Sequence, residues 1–196
     1  MSQNIEIEFK NLLTKSEFTI LKTYFKLDHI DFKKQENHYF DTPSFSLKDL
    51  SSALRIREKN GQYEMTLKQP AENGLLETNQ LLTREEAAKM IGSGKLVEGE
   101  IKEALIKMNI HTDGLEYFGS LTTERAEKHF KEGLIVLDYS YYLNTHDYEI
   151  EYEVADFDTG KQIFEDLLQE LNIPIRETAN KIKRFYIRKT NMSVNQ

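Results

Sequence analysis

The feature that most constrains this chain is a two-residue alternation of charged and apolar side chains, first met at Glu6-Ile7-Glu8-Phe9-Lys10. A β-strand sends successive side chains to opposite faces, so Glu6, Glu8 and Lys10 share one face and Ile7 and Phe9 the other. Same-face neighbours lie about 7 Å apart at the usual strand rise. Two carboxylates at that spacing can share one hard cation or flank a pair, with Lys10 one step on, placed for an anion touching the same metal. A lone strand of this kind is ordinarily a half-exposed edge with a solvated charged face. What changes the reading is that the pattern recurs in nearly every later strand.

The segment Ala53 to Gln69 shows it twice. Asn60-Gly61 is a strong signal for a two-residue hairpin turn. With those residues as the turn, Lys59 faces Gln62, Arg57 faces Glu64 and Arg55 faces Thr66. Cross-strand partners share a face, so Arg55, Arg57, Lys59, Glu64, Thr66 and Lys68 form one surface. Leu54, Ile56, Tyr63, Met65 and Leu67 form the other, able to pack on helices. Gly74 to Leu82 reads as a strand with Glu77 and Asn79 on one face, Leu115 to Phe130 as a long strand containing Thr123 and Arg125, and Leu134 to Tyr142 as a strand with Leu134, Val136 and Asp138 together. Tyr148 to Val154 repeats the opening pattern, with Glu149, Glu151 and Glu153 on one face. Three like charges in a row repel; a bound cation or nearby Lys and Arg removes that cost.

Helices punctuate the strands. Thr14-Lys15-Ser16-Glu17 and Thr83-Arg84-Glu85-Glu86 are capping boxes. The first opens a helix to about Phe25 with Phe18, Leu21, Tyr24 and Phe25 as its apolar stripe. The second opens a helix to Ile91, with Gly92 ending it, and another helix runs from about Val97 to Met108. After the strand end His38-Tyr39-Phe40-Asp41, Thr42-Pro43 reads as an N-cap and first helical position, with a short helix to about Leu50. His111 to Gly114 is a turn. The last helices span about Asp158 to Leu171 and Ala179 to Lys189.

Composition sets the class. The hydrophobic fraction is 39% and the charged fraction 30%, so many strand positions carry charge and some of it is expected to line an interior space. No linker or internal repeat divides the 196 residues; one domain is expected over 1–190, with 191–196 as a flexible tail. A net charge of −7 argues against a duplex nucleic-acid partner, which usually selects a basic domain. With no cysteine there is no disulfide framework and no thiolate zinc site. No signal pattern or membrane-length apolar run is present. A cytoplasmic protein, monomer or homodimer, is expected. Gly92-Ser93-Gly94-Lys95 is not a phosphate loop, because Lys89 and Leu96 stand where that motif needs Gly and Ser/Thr. The five histidines are scattered without metal spacing.

Six to eight strands with one charged and one apolar face suggest an α+β chain: an antiparallel β-barrel, helices on its outer apolar side, charge lining a wet bore. Carboxylates come from the two ends (Glu6, Glu8, Glu149, Glu151, Glu153), bases from the middle and terminus (Lys10, Arg55, Arg57, Lys68, Arg125, Lys181). Hard oxygen ligands without His or Cys select Mg2+ or Mn2+ over zinc. Forked guanidinium groups match phosphate oxygens in pairs. A triphosphate satisfies the bases while its oxygens complete a metal shell, and hydrolysis then needs mainly positioning, charge neutralisation and a water nucleophile.

The chain resembles the CYTH-domain proteins of the triphosphate tunnel metalloenzyme family. Glu6-Ile7-Glu8-Phe9-Lys10 matches E-x-E-x-K; Tyr39-Phe40-Asp41-Thr42 is similar to Y-[FY]-D-T; Leu54-Arg55-Ile56-Arg57 resembles L-R-[IV]-R, and Thr66-Leu67-Lys68 resembles T-x-K. Arg125, Glu149-Ile150-Glu151 and Asn180-Lys181, where many members have Ser-Lys, complete the set across the whole chain. The resemblance implies an eight-stranded antiparallel tunnel in which Glu6, Glu8, Glu149 and Glu151 hold Mg2+ or Mn2+, with Glu151 and Glu153 as the other register. Lys10, Arg55, Arg57, Lys68, Arg125 and Lys181 would bind a small-molecule triphosphate, with Lys183 or Arg184 as alternatives at the last position. Glu6, Glu8, Lys10 and Arg57 are the candidate catalytic residues. The implied activity is a metal-dependent triphosphatase acting on inorganic triphosphate, thiamine triphosphate or a nucleoside triphosphate. An adenylate cyclase of the class IV type and a non-catalytic polyphosphate or nucleotide sensor are the rival readings.

Overall fold

The computed structural model describes residues 2–72 and 74–194. Its strands are β1 (Ser2–Leu13), β2 (Lys33–Asp41), β3 (Ala53–Lys59), β4 (Gln62–Ala71), β5 (Gly74–Leu82), β6 (Glu116–Phe130), β7 (Gly133–Tyr142) and β8 (Thr145–Val154). The helices are α1 (Lys15–Tyr24), α2 (Ser46–Asp49), α3 (Arg84–Ser93), α4 (Glu100–Lys107), α5 (Phe157–Glu170) and α6 (Lys181–Val194). The strands close into an antiparallel barrel in the order β1-β5-β4-β3-β2-β6-β7-β8. The chain divides into two compact units, Met1–Ile5 with Gln35–Leu121, and Glu6–Lys34 with Thr122–Gln196.

In the first unit the hairpin forms as its turn residues dictate. Asn60 and Gly61 both take positive φ, 53° and 74°, the left-handed pair that matches the twist of the flanking strands. The register follows: Lys59 opposes Gln62, Arg57 opposes Glu64 and Arg55 opposes Thr66. Leu54, Ile56, Met65 and Leu67 are fully buried and pack with Leu47 of α2, Ala87 and Met90 of α3, and Ile101 and Leu105 of α4. Burying each such side chain contributes roughly 1.5–3 kcal/mol, which fixes the charged residues between them on the opposite face.

In the second unit the core is Phe18, Leu21 and Phe25 of α1 and its C-cap, Phe164, Leu167 and Leu168 of α5, and Ala126, Ile135, Leu137, Ile150 and Tyr152 from β6 to β8. Both expected capping boxes are present, Thr14 with Glu17 and Thr83 with Glu86. A Cβ on Gly160 would meet Val154 at 2.5 Å, so α5 lies close against the acidic strand β8.

Four local expectations are corrected. Tyr24 is 38% exposed, so the stripe of α1 is narrower than its spacing suggested. Pro43 does not start a helix: the Thr42 hydroxyl accepts from the Ser46 amide across a turn, and only Ser46–Asp49 is helical. Asp41 sets that turn by accepting from the Thr42, Leu47 and Lys48 amides, which gives the Asp-Thr pair a structural role. Gly92 lies inside α3, and Gly94, at φ 69°, is its left-handed cap. The α4 helix begins at Glu100 rather than near Val97. Of the expected tail, residues 191–194 continue α6, and 195–196 lie outside the described residues.

Candidate active site

The acidic cluster is built by β1 and β8 of the second unit, paired so that Glu8 opposes Glu153, Lys10 opposes Glu151 and Leu12 opposes Glu149. On the other side of β8, Asp138 of β7 opposes Glu149, and Arg125 of β6 opposes Asp138. Alternation puts all of these on one face, opposite the one that packs on α1 and α5. Glu149 is 1% exposed, Glu151 5% and Asp138 0%, while Glu153 is half-buried. Both Glu149 and Glu151 are therefore deep members, with Glu153 beside Glu8.

Unpaired carboxylates at that depth would be untenable, and the chain supplies cations. Arg125 forks onto Asp138 (Nε to Oδ1 2.8 Å, Nη2 to Oδ2 2.7 Å) and reaches Glu151 Oε2 at 2.8 Å. The Lys181 ammonium at the start of α6 lies 2.8 Å from Asp138 Oδ2, 3.3 Å from Glu149 Oε2, and against Glu151 Oε1. Arg184, one turn on, bonds Glu149 Oε2 and, at 3.0 Å, Asp147 Oδ2. Lys10 bonds Glu8. Of the three terminal cations considered from sequence, Lys181 and Arg184 both enter the cluster and Lys183 is exposed. Asn180 does the work expected of a serine, accepting from the Lys183 amide at 2.9 Å as an N-cap side chain does.

These contacts set the protonation states. Burial opposes the charge on Glu151, but Lys181, Arg125 and Lys10 hold its carboxyl well below the ordinary range. Asp138 is likewise lowered by Arg125 and Lys181 against the burial penalty. For Glu149, burial and the adjacent Glu151 outweigh Lys181 and Arg184, and its carboxyl is raised. Burial and the crowding of Glu6, Glu151 and Glu8 push Glu153 to about 7, despite Arg125. Burial works against the Lys10 ammonium, yet Glu8, Glu151 and Glu149 hold its pKa above the usual lysine value.

The donor set fits a hard divalent cation. It is all carboxylate oxygen, like charges crowd along β8, and Glu149 Oε1 is buried without a hydrogen-bond partner. Among the described residues no three Asp, Glu, His or Cys side chains converge as a ready-made cage, because most of these carboxylates are turned toward a lysine or arginine.

The first unit carries the other expected bases. Arg55 and Arg57 share the charged face of β3, where the Arg57 Nε donates to Asn37 Oδ1 at 3.1 Å. Lys68 of β4 pairs with Glu77 of β5 at 2.6 Å; burial opposes the Glu77 charge, but Lys68 and Arg55 lower its carboxyl. Arg55 Nε and Thr66 Oγ1 are buried without hydrogen-bond partners, and these two residues face each other across the hairpin. Asp138, Asp147 and Asn37 enter these networks without belonging to any of the sequence motifs. For Asp138 a signal existed: a carboxylate following Leu134 and Val136 on one face.

The CYTH domain family model matches residues 4–186. The chain is 57% identical over 186 residues, covering 95% of it and 96% of the relative, to a Bacillus subtilis protein named "Putative triphosphatase YjbK". A crystal structure from Bacillus halodurans, described as a "putative adenylate cyclase", superposes with a TM-score of 0.92 at 43% identity, covering 95% of this chain and all of that one. A Hippeastrum protein, described as a "putative adenylyl cyclase" with a dominant triphosphatase activity, superposes with a TM-score of 0.78 at 25% identity, covering 93% and 95%. With the signature strands seen to form and their charges on one face, this chain belongs to the CYTH-domain family.

Proposed function

We propose that this chain is a metal-dependent triphosphatase that hydrolyses inorganic triphosphate or the triphosphate of a small organic molecule. The observation that carries the reading is the buried set Asp138, Glu149 and Glu151 interleaved with Arg125, Lys181 and Arg184. Such a set trades internal ion pairs for a cation-bridged polyanion at little net change in charge. The relative named a triphosphatase, 57% identical over nearly the whole length, supports it, as does the dominant triphosphatase activity of the Hippeastrum protein.

In this proposal Glu6, Glu8, Glu149 and Glu151, with Glu153 at the rim, hold Mg2+ or Mn2+. When bound, the ion neutralises phosphoryl oxygens and lowers the pKa of a water. Arg125, Lys181 and Lys10 turn from carboxylates to phosphate oxygens as the substrate arrives. Arg55, Arg57 and Lys68 are further phosphate contacts, and the buried, unpartnered Arg55 Nε and Thr66 Oγ1 are the kind of donors an anion satisfies. Glu6, Glu8, Lys10 and Arg57 act on the reacting group: the glutamates orient the water and accept its proton, and the two cations stabilise charge on the transferred phosphoryl group. The working compartment in this reading is the cytoplasm and the working unit a monomer or homodimer. No described helix is long and apolar enough to cross a membrane.

The test is a panel of tripolyphosphate, thiamine triphosphate and ATP, each with Mg2+, Mn2+ or chelator. Orthophosphate release that needs the metal supports the proposal. Cyclic AMP from ATP without phosphate release would identify a cyclase, and tight binding without product a sensor; either would overturn it.

A further inference from the structure

One residue breaks the apolar stripe of β1. Ile7, Phe9, Asn11 and Leu13 share the face toward the helices, and Asn11 is fully buried. A buried amide there is stable only if its bonds are made, and its long-range bonds run to the segment between α5 and α6. Asn11 Oδ1 accepts from the Arg176 amide at 2.6 Å, and its Nδ2 donates to the Pro174 carbonyl at 3.0 Å. The Leu12 amide donates to Thr178 Oγ1 at 2.9 Å. Arg176 closes the clasp with its guanidinium, donating to the Leu12 carbonyl at 2.8 Å and to both Glu17 oxygens at 2.7 and 3.0 Å. Glu17 is also the capping-box glutamate of α1, so the clasp ties β1, α1 and the segment 174–178 at one point.

That segment has no regular structure of its own and leads straight into Lys181. The Ala179 carbonyl that follows it accepts from Arg184. Lys10 immediately precedes Asn11 and points to the opposite face, in register with Glu151, the carboxylate that Lys181 contacts. The two cations whose charge acts on Glu151 are therefore fixed relative to each other through residues behind the strand.

We propose that Asn11 and Arg176 are positioning residues: they hold the segment before α6 so that Lys181 and Arg184 reach the carboxylates of β8, and they act on catalysis through Lys181 without touching substrate. The inference rests on the triphosphatase reading for its kinetic consequence and on geometry alone for its structural one. A displacement of about 1 Å can cost about 100-fold in rate, so loss of the clasp is expected to show in turnover well before the fold is lost.

The experiment compares wild type, Arg176→Ala, Lys181→Ala and the double variant, with Thr178→Val as a milder lesion should Arg176→Ala fold poorly. Hydrogen exchange of residues 178–186 reads the clasp without substrate. Faster exchange there in Arg176→Ala or Thr178→Val, with the rest of the chain unchanged, is expected, and unchanged exchange would overturn the proposal. In tripolyphosphate hydrolysis, Arg176→Ala is expected to lose about 100-fold in kcat/KM, and the double variant to be no worse than Lys181→Ala. Multiplying losses would show that the clasp does not act through Lys181 and would overturn it. If wild type hydrolyses no triphosphate, the functional reading fails, while the exchange result still decides the clasp.

Discussion

The two units use the same strand pattern to opposite electrostatic ends. On β6, β7 and β8 the charged face is acidic, deeply buried and closed on itself: Asp138, Glu149 and Glu151 are at most 5% exposed, and each has a lysine or arginine against it. On β3 and β4 the charged face is basic and more open: Arg55, Arg57 and Lys68 are half-buried, with Lys68 on Glu77 and Arg57 on Asn37. The fold depends on the first set of charges more than on the second. A buried carboxylate holding two cations is structural, because removing it leaves Arg125 and Lys181 to share the carboxylates of β8 alone. An arginine such as Arg55, partly buried and with no hydrogen-bond partner at its Nε, leaves a donor for a ligand and contributes little to folding.

Asp138→Ala is the sharpest way to break the contrast. It strips Arg125 and Lys181 of a shared partner and is expected to cost about 3–5 kcal/mol, read by urea unfolding; a loss under about 1 kcal/mol would erase the distinction between the units. Arg55→Ala is the complementary change. It is expected to cost less than about 1 kcal/mol of stability yet lower kcat/KM for tripolyphosphate by about 100-fold, measured by phosphate release.

A smaller effect comes from Glu153. Its folded-state pKa, about 7, lies above the ordinary 4.5, so between those values the folded chain binds more protons than the unfolded one. Stability in chelator should therefore fall as pH rises through that window. Glu153→Gln should flatten the fall and melt higher than wild type at pH 8 but not at pH 4, by thermal scans. A smaller effect still is expected at Glu17, where hydrogen bonding from Arg176 lowers the carboxyl. The stability this pair gives is present above the ordinary glutamate range and is lost as pH falls through the lowered value. Glu17→Gln should remove that part of the acid-side sensitivity in the same scans.

The strands were legible because alternation at period two is a direct consequence of backbone geometry, and Asn60-Gly61 fixed the hairpin register that the structure has. The capping boxes announced α1 and α3. Helix ends were less legible: Pro43 and Gly92 are good signals locally, but the side chain of Asp41 and the left-handed Gly94 outweigh them. Within the candidate site, residues on alternating strands could be read, since their face follows from position. Asp138 and Arg184 could not be assigned partners, because those partners lie on other elements, Arg125 on β6 and Glu149 on β8. Asn11 carries no signal of its own in the sequence, because its partners lie on a segment more than 160 positions later.

Whether the acidic face of β1 and β8 holds a metal bridged to a triphosphate can be seen by anomalous diffraction from crystals carrying Mn2+ and a slowly hydrolysed triphosphate analogue. A manganese peak is expected within about 2.5 Å of carboxylate oxygens from both strands, among Glu6, Glu8, Glu149, Glu151 and Glu153, with Lys181 turned to a phosphate oxygen. Manganese found elsewhere, or an analogue bound while Lys181 keeps its pairs with Asp138 and Glu151, would contradict this expectation.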